Sequence, residues 1–158
     1  MELRQENPDD WWEVEALYDL CFSPGREALS SYRLRDGRPP LSELSLVARD
    51  EAGILGGAIR FWPVLVDTEE ALLLGPVAVH PTRQGEGLGG ALIRDGLARA
   101  EALGWKRVIL VGDARYYSRF GFQQLLGVEM PPPTNPSRVL GYGDWSDVQG
   151  SVRQARKP

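Results

Sequence analysis

The chain has 158 residues with 18 basic and 22 acidic side chains, and its net charge of −4 argues against a general nucleic-acid-binding protein and is compatible with cationic substrates. No apolar run approaches the roughly 20 residues that cross a bilayer, so no membrane partner is expected. Cys21 and His80 are the only residues of their types, which leaves too few ligands for a zinc site and no internal disulfide. We therefore expect a protein without a bound metal. The single cysteine predicts the reducing cytoplasm, and the acidic N-terminal segment, which lacks a signal-peptide pattern, predicts the same compartment.

The first half of the chain alternates between strand and helix patterns. "LRQE" is typical of a short strand, and "NPDDWWEVEALYDLCF" has apolar residues at helical spacing behind a cap at Asp9 or Asp10. A second helical piece is expected over about residues 25–34. "LSLVARD" and "ILGGAIRFWPVLV" then predict an antiparallel hairpin across a tight turn.

The second half begins with "ALLLGPVAV", which is apolar on both faces and is therefore expected to be a central strand. Proline lacks a ladder donor, so Gly75-Pro76 predicts a bulge or a break in pairing. An amphipathic helix is expected from about Gly87 to Leu103, followed by the parallel strand "KRVILVG". The rest of the chain predicts a short helical turn in "DARYYSRFGF", strands in "FQQLL" and "RVLGY", and a loop at "MPPPTNPS". The tail, residues 151–158, is expected to be frayed. We therefore expect a single domain, 1–158, with a mixed α/β sheet.

A cluster of glycines precedes the central helix, at positions 85, 87, 89 and 90. The first amides of a helix lack partners, and glycine lets an anion approach them, so the pattern predicts a phosphate or pyrophosphate cradle. A P-loop is excluded because Ala91 and Leu92 occupy the positions of its Lys and Ser/Thr. Gly85, Gly87 and Gly90 formally match the dinucleotide fingerprint, but the first of them does not close the strand.

The same segment resembles the acyl-coenzyme-A loop of the GNAT superfamily of N-acetyltransferases. The loop Gln84–Gly89 follows "VHP", "ALGW" closes the helix, and Tyr117 precedes Gly121-Phe122 in a Tyr-x-x-x-Gly-Phe pattern. These motifs occur in the family's order over roughly residues 45–126. The resemblance implies a mixed, mostly antiparallel sheet with a splayed central pair of parallel strands, flanked by helices, and acetyl-CoA as cosubstrate.

The resemblance also implies roles for particular residues in transfer of an acetyl group to a primary amine by direct attack. A backbone N–H near Val79 would stabilise the oxyanion of the tetrahedral intermediate, and Tyr117 would protonate the leaving thiolate, with Tyr116 as the neighbour most easily mistaken for it. Pantetheine would extend the sheet along the preceding strand, at Val77, Ala78 and Val79. The pyrophosphate would lie on the amides of the loop, whose residues are Gln84, Gly85, Glu86, Gly87, Leu88 and Gly89.

The general base is open at this stage. Asp113 follows a parallel strand, where α/β sites gather, but also suits a helix cap. The acids Asp67, Glu69 and Glu70 precede the central strand, and water alone is a further candidate. His80 is expected to cap its connector, and Arg83 either reaches a coenzyme phosphate or is solvated.

Acceptor selection is expected from residues 22–32 opposite "MPPPTNPS", with aromatic surface from Trp11, Trp12 or Trp62. The acceptor itself is a small-molecule or peptide amine of unspecified identity. Two other functions fit the sequence: a non-catalytic acyl-CoA sensor and a nicotinamide-dinucleotide-binding protein. An exposed final strand would let two copies pair, so a homodimer is also open.

Overall fold

The computed structural model describes residues 1–22 and 30–155 of the chain. Its helices and strands follow the predicted alternation in the first half and add short strands in the second. In chain order they are β1 (Glu2–Gln5), α1 (Trp11–Phe22), β2 (Leu46–Arg49), β3 (Leu55–Val66), β4 (Glu69–Val79), α2 (Leu88–Ala102), β5 (Arg107–Val111), α3 (Ala114–Tyr117), β6 (Gln123–Gln124), β7 (Val128–Glu129), β8 (Val139–Gly143) and β9 (Gly150–Gln154). Among these residues, no helix is long and apolar enough to span a bilayer.

The strands form a mixed, mostly antiparallel sheet in the order β1-β2-β3-β4-β5-β8-β6. The central pair, β4 and β5, is parallel, and its paired residues are only Leu72 with Val108 and Leu73 with Ile109. Beyond Leu73 no described strand pairs with this edge of β4, so the two strands separate. The predicted mixed sheet with a splayed parallel pair is confirmed.

The separation begins at a β-bulge in β4. Phe61 of β3 pairs with Leu74 and Ile59 pairs with Val77, so one residue of β3, Arg60, lies opposite two residues of β4. The additional residue falls at Gly75-Pro76, where Gly75 has a φ of +128° that favours glycine. The bulge predicted from the missing proline donor is therefore present.

Helices cover both faces of the sheet. On one face Val14, Leu17 and Tyr18 of α1 pack with Ala58 and Ala78. The central helix α2 covers the other face with Leu92, Ile93 and Leu97. It approaches β3 closely at Gly96, where a Cβ would lie 2.6 Å from a ring carbon of Phe61. Glycine at this position therefore sets the distance between α2 and the sheet.

Two predicted elements differ from the structure. Residues 151–154 do not fray: they belong to β9, which pairs antiparallel with β3 and parallel with β7. Val152 is buried in the core there, which supplies the apolar contact that holds the strand. The second helix is represented by a short 3₁₀ helix at Ser30–Leu34. The rest of the expected helix, residues 25–29, and residues 156–158 of the tail lie outside the described residues.

Candidate active site

The glycine-rich loop opens directly onto the first turn of α2. Gly85 and Gly87 have φ of +85° and +77°, and a Cβ on either would meet no atom within 4 Å. Gly87 is the N-cap residue of α2 and provides no side-chain hydrogen bond. Its carbonyl oxygen accepts a helical hydrogen bond from the Ala91 N–H at 3.1 Å. The amides of residues 88–90 precede that bond. The helix start therefore presents uncapped donors beside open space, which suits an anion such as pyrophosphate.

The end of β4 presents backbone groups to the gap between β4 and β5. The His80 N–H donates to the Gly56 carbonyl of β3 at 2.8 Å, and Ala78 pairs with Ala58. Backbone groups alternate sides along an antiparallel strand, so those of Val77 and Val79 face away from β3. This edge is the one along which an extended amide chain can bind. Of the three residues that the sequence assigned to it, only Ala78 directs its backbone groups to β3.

The carbonyl and the N–H of Val79 have different surroundings. The carbonyl accepts hydrogen bonds from Gln84 Nε2 at 3.0 Å and from the Cys21 thiol at 3.4 Å. The Gln84 side chain thus ties the loop to the end of β4. The Val79 N–H faces the gap, where it can donate to an oxyanion.

A cavity of about 360 Å³ fills the gap between β4 and β5. One wall is the bulge of β4, and the other is the end of β5 with α3. Its lining includes Gly75, Pro76, Val77, Gly112, Asp113, Tyr116 and Tyr117. The bulge and the predicted tyrosine therefore border one cavity, and the hydroxyl of Tyr116 in its wall lies near Gly89 at the start of α2.

Tyr117 is held by aromatic packing at the wall of this cavity. Its ring lies edge-on to Tyr116 at 5.0 Å and to Phe122 at 5.8 Å. A Cβ on Gly112 would lie 2.6 Å from its Cε2, so the adjoining strand end must be glycine. Burial, with a smaller contribution from Tyr116 and against the opposing charge of Arg138, raises the pKa of Tyr117 to about 12. The phenol is therefore protonated at neutral pH and can donate a proton.

Tyr116 points to a different part of the site. Its hydroxyl lies 3.3 Å from the position that a Cβ on Gly89 would occupy, at the first turn of α2. Tyr117, by contrast, packs under the end of β5. The two adjacent tyrosines thus lie toward different ends of the cavity, Tyr117 at the end of β5 and Tyr116 at the first turn of α2.

The structure separates the acids considered as general bases. Asp113 lines the cavity, although its carboxylate also accepts the Arg115 N–H at 2.9 Å and so caps α3. Asp67, Glu69 and Glu70 lie at the opposite end of β4, roughly 30 Å of extended chain from Val79. Of these four acids, only Asp113 reaches the site.

The two other polar residues near the loop have structural partners. His80 Nδ1 accepts the Thr82 N–H at 3.2 Å and caps the connector, as expected. Arg83 pairs with Asp50 at 2.7 Å and lies 3.7 Å from Glu86. Neither contact places these side chains in the gap between the strands.

A second cavity, of about 430 Å³, adjoins the first on the side of α1. The two share Tyr32, Arg35 and Pro76 in their walls. Trp11 and Trp62 line the second cavity, as the aromatic-surface expectation allowed, whereas Trp12 is exposed and lies outside it. Of residues 130–137, the expected opposing wall, none lines either cavity.

Sequence reasoning missed several charged residues of this second cavity, chiefly Glu15, Arg35 and Arg60. The buried guanidinium of Arg60 is bound by Glu6 at 2.9 Å and by Glu15 at 2.6 Å. One signal was present: Arg60 is the only charged residue within β3. A lone charge in a strand otherwise suited to the core indicates a buried ion pair or a site.

Comparisons with known proteins agree with this geometry. Residues 42–124 match the family model described as the acetyltransferase (GNAT) domain. An uncharacterized N-acetyltransferase of Escherichia coli K12, YhbS, is 35% identical over 125 residues, which are 78% of this chain and 74% of that protein.

Two solved structures are also similar over nearly the whole chain. The structure of E. coli YhbS in complex with CoA has a TM-score of 0.83 and 29% identity, with 98% of this chain and 89% of that chain covered. A GNAT family acetyltransferase from Brucella melitensis in complex with acetyl-CoA has a TM-score of 0.75 and 33% identity, with 98% and 95% covered. The protein belongs to the GNAT family and is an N-acetyltransferase by class, which confirms the family and the enzyme class predicted from the sequence.

Proposed function

We propose that this protein transfers an acetyl group from acetyl-CoA to a primary amine by direct attack through a tetrahedral intermediate. The observation that carries the proposal is the arrangement of the site: the edge of β4 at Val77 and the Tyr117 ring border one cavity, and Tyr116 in its wall reaches the first turn of α2, where the open amides lie. The CoA and acetyl-CoA bound by the similar structures support the choice of cosubstrate.

The chain's own groups fit acetyl-CoA from end to end. The amides of the loop from Gln84 to Gly89 would receive the pyrophosphate at the positive end of the helix dipole. The backbone of Val77 and Val79 would bind the two amides of pantetheine as a short additional strand. This arrangement brings the thioester into the cavity beyond the bulge, next to Tyr117.

The chemistry then needs three functions from the protein. As the amine nitrogen forms its bond to the thioester carbon, the N–H of Val77, which lies next to the bulge and two residues from Val79, stabilises the negative charge on the carbonyl oxygen. When the C–S bond breaks, the Tyr117 phenol gives its proton to the thiolate. The new amide loses its extra proton to Asp113 or to water, and solvent restores the phenol proton.

Binding and turnover are tested separately. Thermal unfolding of the purified protein is measured with CoA, acetyl-CoA and NAD in parallel, where ligand at about 100 times its dissociation constant stabilises the fold by about 2.7 kcal/mol. Stabilisation by both coenzymes A and not by NAD is expected. Stabilisation by NAD alone would contradict the proposal and favour the dinucleotide hypothesis.

Turnover is then measured as amine-dependent release of the CoA thiol over a broad panel of amines. We expect release with at least one class of amine. Tight coenzyme binding without release from any amine of the panel would instead identify a sensor module.

A further inference from the structure

We infer that Arg94 and Arg119 bind the 3′-phosphate of coenzyme A and let the protein distinguish the coenzyme from its dephosphorylated form. This inference rests on the proposed function and names the residues that recognise the part of the cosubstrate farthest from the reaction. It is carried by two exposed guanidinium groups that aromatic rings hold beside the first turn of α2.

Arg94 directs its guanidinium back to the start of α2. Its Cα lies about one turn beyond Gly90 in the helix, and its Nη1 lies 3.1 Å from the position that a Cβ on Gly90 would occupy. Side chains on a helix lean toward the helix N-terminus, so this direction is the ordinary one. The positive charge of Arg94 therefore lies beside the turn whose amides are open.

Arg119 is held over a ring that contacts the same turn. Its guanidinium carbon lies 4.8 Å from the ring centroid of Tyr116, whose hydroxyl lies 3.3 Å from the position of a Cβ on Gly89. The guanidinium carbon of Arg94 lies 5.0 Å from the ring centroid of Phe120, and the rings of Phe120 and Tyr116 pack at 5.4 Å. One pair of packed rings therefore carries both arginines at the start of α2.

The charges of these two arginines are not balanced by the protein. Among residues 1–22 and 30–155, no ion pair or hydrogen bond is formed by the side chain of Arg94 or Arg119, whose guanidinium groups contact aromatic rings. Arg83, which lies nearer to the glycine-rich loop in the sequence, shows the contrast. It pairs with Asp50 at 2.7 Å and lies 3.7 Å from Glu86, so its charge is compensated.

An anion at this position would relieve an unfavourable electrostatic arrangement. The positive end of a helix dipole repels cations, and the open amides of residues 88–90 lie at that end of α2. Two guanidinium groups beside them add to the positive potential. A phosphate group fits this potential, because a guanidinium binds phosphate oxygens through two parallel hydrogen bonds and can stack on an aromatic ring at the same time.

Coenzyme A carries phosphate at two places, and the loop amides account for only one of them. The proposed function assigns the pyrophosphate to the amides from Gln84 to Gly89, with pantetheine running from there into the gap between β4 and β5. The adenosine, with its 3′-phosphate, must then leave the loop in the other direction, toward solvent. Arg94 and Arg119 are both exposed at the start of α2, where they can receive this second phosphate.

The test compares coenzyme A with dephospho-CoA, which differs from it only in lacking the 3′-phosphate. Calorimetric titration measures the dissociation constants of both ligands for the wild type, Arg94→Gln, Arg119→Gln and the double variant. Arg153→Gln is the matched control for the loss of one positive charge, because Arg153 is exposed on β9 and donates to the carbonyl of Asp67. Thermal unfolding without ligand reports whether each variant is folded.

We expect the wild type to bind coenzyme A about 10- to 100-fold more tightly than dephospho-CoA, the difference typical of hydrogen bonds between charged groups. Each single substitution should reduce this preference, and the double variant should lose it. The loss should come from weaker binding of coenzyme A alone, since dephospho-CoA presents no group to these side chains. Arg153→Gln should keep the whole preference.

Equal affinity of the wild type for the two ligands would overturn the inference while leaving the proposed function in place. An equal loss of affinity for both ligands in the arginine variants would also overturn it, and would assign the two residues to the pyrophosphate. The comparison on the wild type does not depend on any variant being folded. Failure of the wild type to bind either ligand would contradict the proposed function and the inference with it.

Discussion

The indole Nε1 of Trp62 donates a hydrogen bond of 2.7 Å to the carbonyl oxygen of Gly75 on the neighbouring strand. The next carbonyl, that of Pro76, accepts the Tyr18 hydroxyl of α1 at 2.9 Å. A bulge leaves backbone groups outside the ladder, and these two side chains satisfy them. The bulge beside the gap between β4 and β5 is therefore supported from β3 and α1.

Substitution Trp62→Phe tests this support. It keeps an aromatic ring but leaves the buried Gly75 carbonyl without its donor, so the free energy of unfolding should fall by about 1–3 kcal/mol. Trp105→Phe is the control, because no hydrogen bond of the Trp105 indole is present among the described residues. Urea unfolding followed by tryptophan fluorescence measures both; equal losses would show that the hydrogen bond contributes little.

The two adjacent tyrosines should separate chemistry from binding. Tyr117→Phe keeps the packed ring and removes the proton donor, so kcat should fall by about 100-fold or more with acetyl-CoA affinity unchanged. Tyr116→Phe should leave kcat within a few-fold, since that hydroxyl lies at the first turn of α2. Steady-state rates and calorimetric binding of both variants provide the measurement. The reverse pattern would assign the proton donor to Tyr116.

The pH dependence of the rate should reflect the raised pKa of Tyr117. Because burial holds that pKa at about 12, above the ordinary value of 10.0, the phenol remains protonated through the usual assay range. The profile of log(kcat/KM) should then rise as the acceptor amine loses its proton and should not fall again below about pH 10. A descending limb near pH 8 that disappears in Tyr117→Phe would contradict this assignment.

Gly87 and Gly104 have similar backbone conformations, so substituting each separates an effect on CoA binding from an effect on stability. Gly87 and Gly104 have φ of +77° and +89°, and a Cβ on either meets no atom within 4 Å. Alanine at each should therefore lower stability by a similar amount, about 1 kcal/mol. Only Gly87→Ala should weaken CoA binding, by about tenfold or more, because it disturbs the amides at the start of α2. Thermal unfolding and calorimetry distinguish the two effects, and equal affinities would remove Gly87 from the site.

Asp10 should make stability depend on acid pH. Burial alone would raise its pKa, but hydrogen bonds from Arg4, the Asn7 backbone and Arg49 outweigh burial and lower the pKa from 3.8 to about 2. A depressed pKa in the folded state stabilises the protein above about pH 4, and the contribution is lost as the pH falls toward 2.

The matched substitutions are Asp10→Asn and Glu13→Gln, since both acids bind Arg49. Asp10→Asn should cost about 2 kcal/mol at pH 7, with the difference from wild type closing near pH 2. Glu13 is largely exposed, so Glu13→Gln should cost less than about 1 kcal/mol. Urea unfolding across this pH range measures both. A difference in the free energy of unfolding between wild type and Asp10→Asn that stays constant with pH would show that Asp10 acts through its shape and not through its charge.

The functional loop was predictable because its chemistry is local. Gly85 and Gly87 adopt a left-handed backbone within a few residues of the helix that they open, and the Tyr117 pattern lies in one contiguous turn. The bulge was also predictable, since the missing donor of Pro76 interrupts any ladder. The glycine turns and the bulge follow from backbone rules that operate over four to six residues, whereas the Tyr117 pattern was assigned by resemblance to the family.

The charged wall of the second cavity and the last strand were not predictable in the same way. Arg60 meets Glu6 and Glu15 across 54 and 45 residues of sequence, and Val152 pairs with Val66 from the far end of the chain. The two acids look like solvated charges in the sequence, and the last strand looks like a frayed tail. Only the sheet order decides which of these segments become neighbours.

The sequence by itself thus determined the glycine-rich turn at the start of α2 and the bulge in β4, because helix starts, prolines and short turns are governed by local sterics and hydrogen bonding. Tertiary structure alone decided that Arg35 lies at the junction of the two cavities, that Asp113 reaches the site while Glu69 and Glu70 do not, and that residues 150–154 complete the sheet. Those outcomes depend on contacts between distant segments, whose burial and charge balance exist only after the chain has folded.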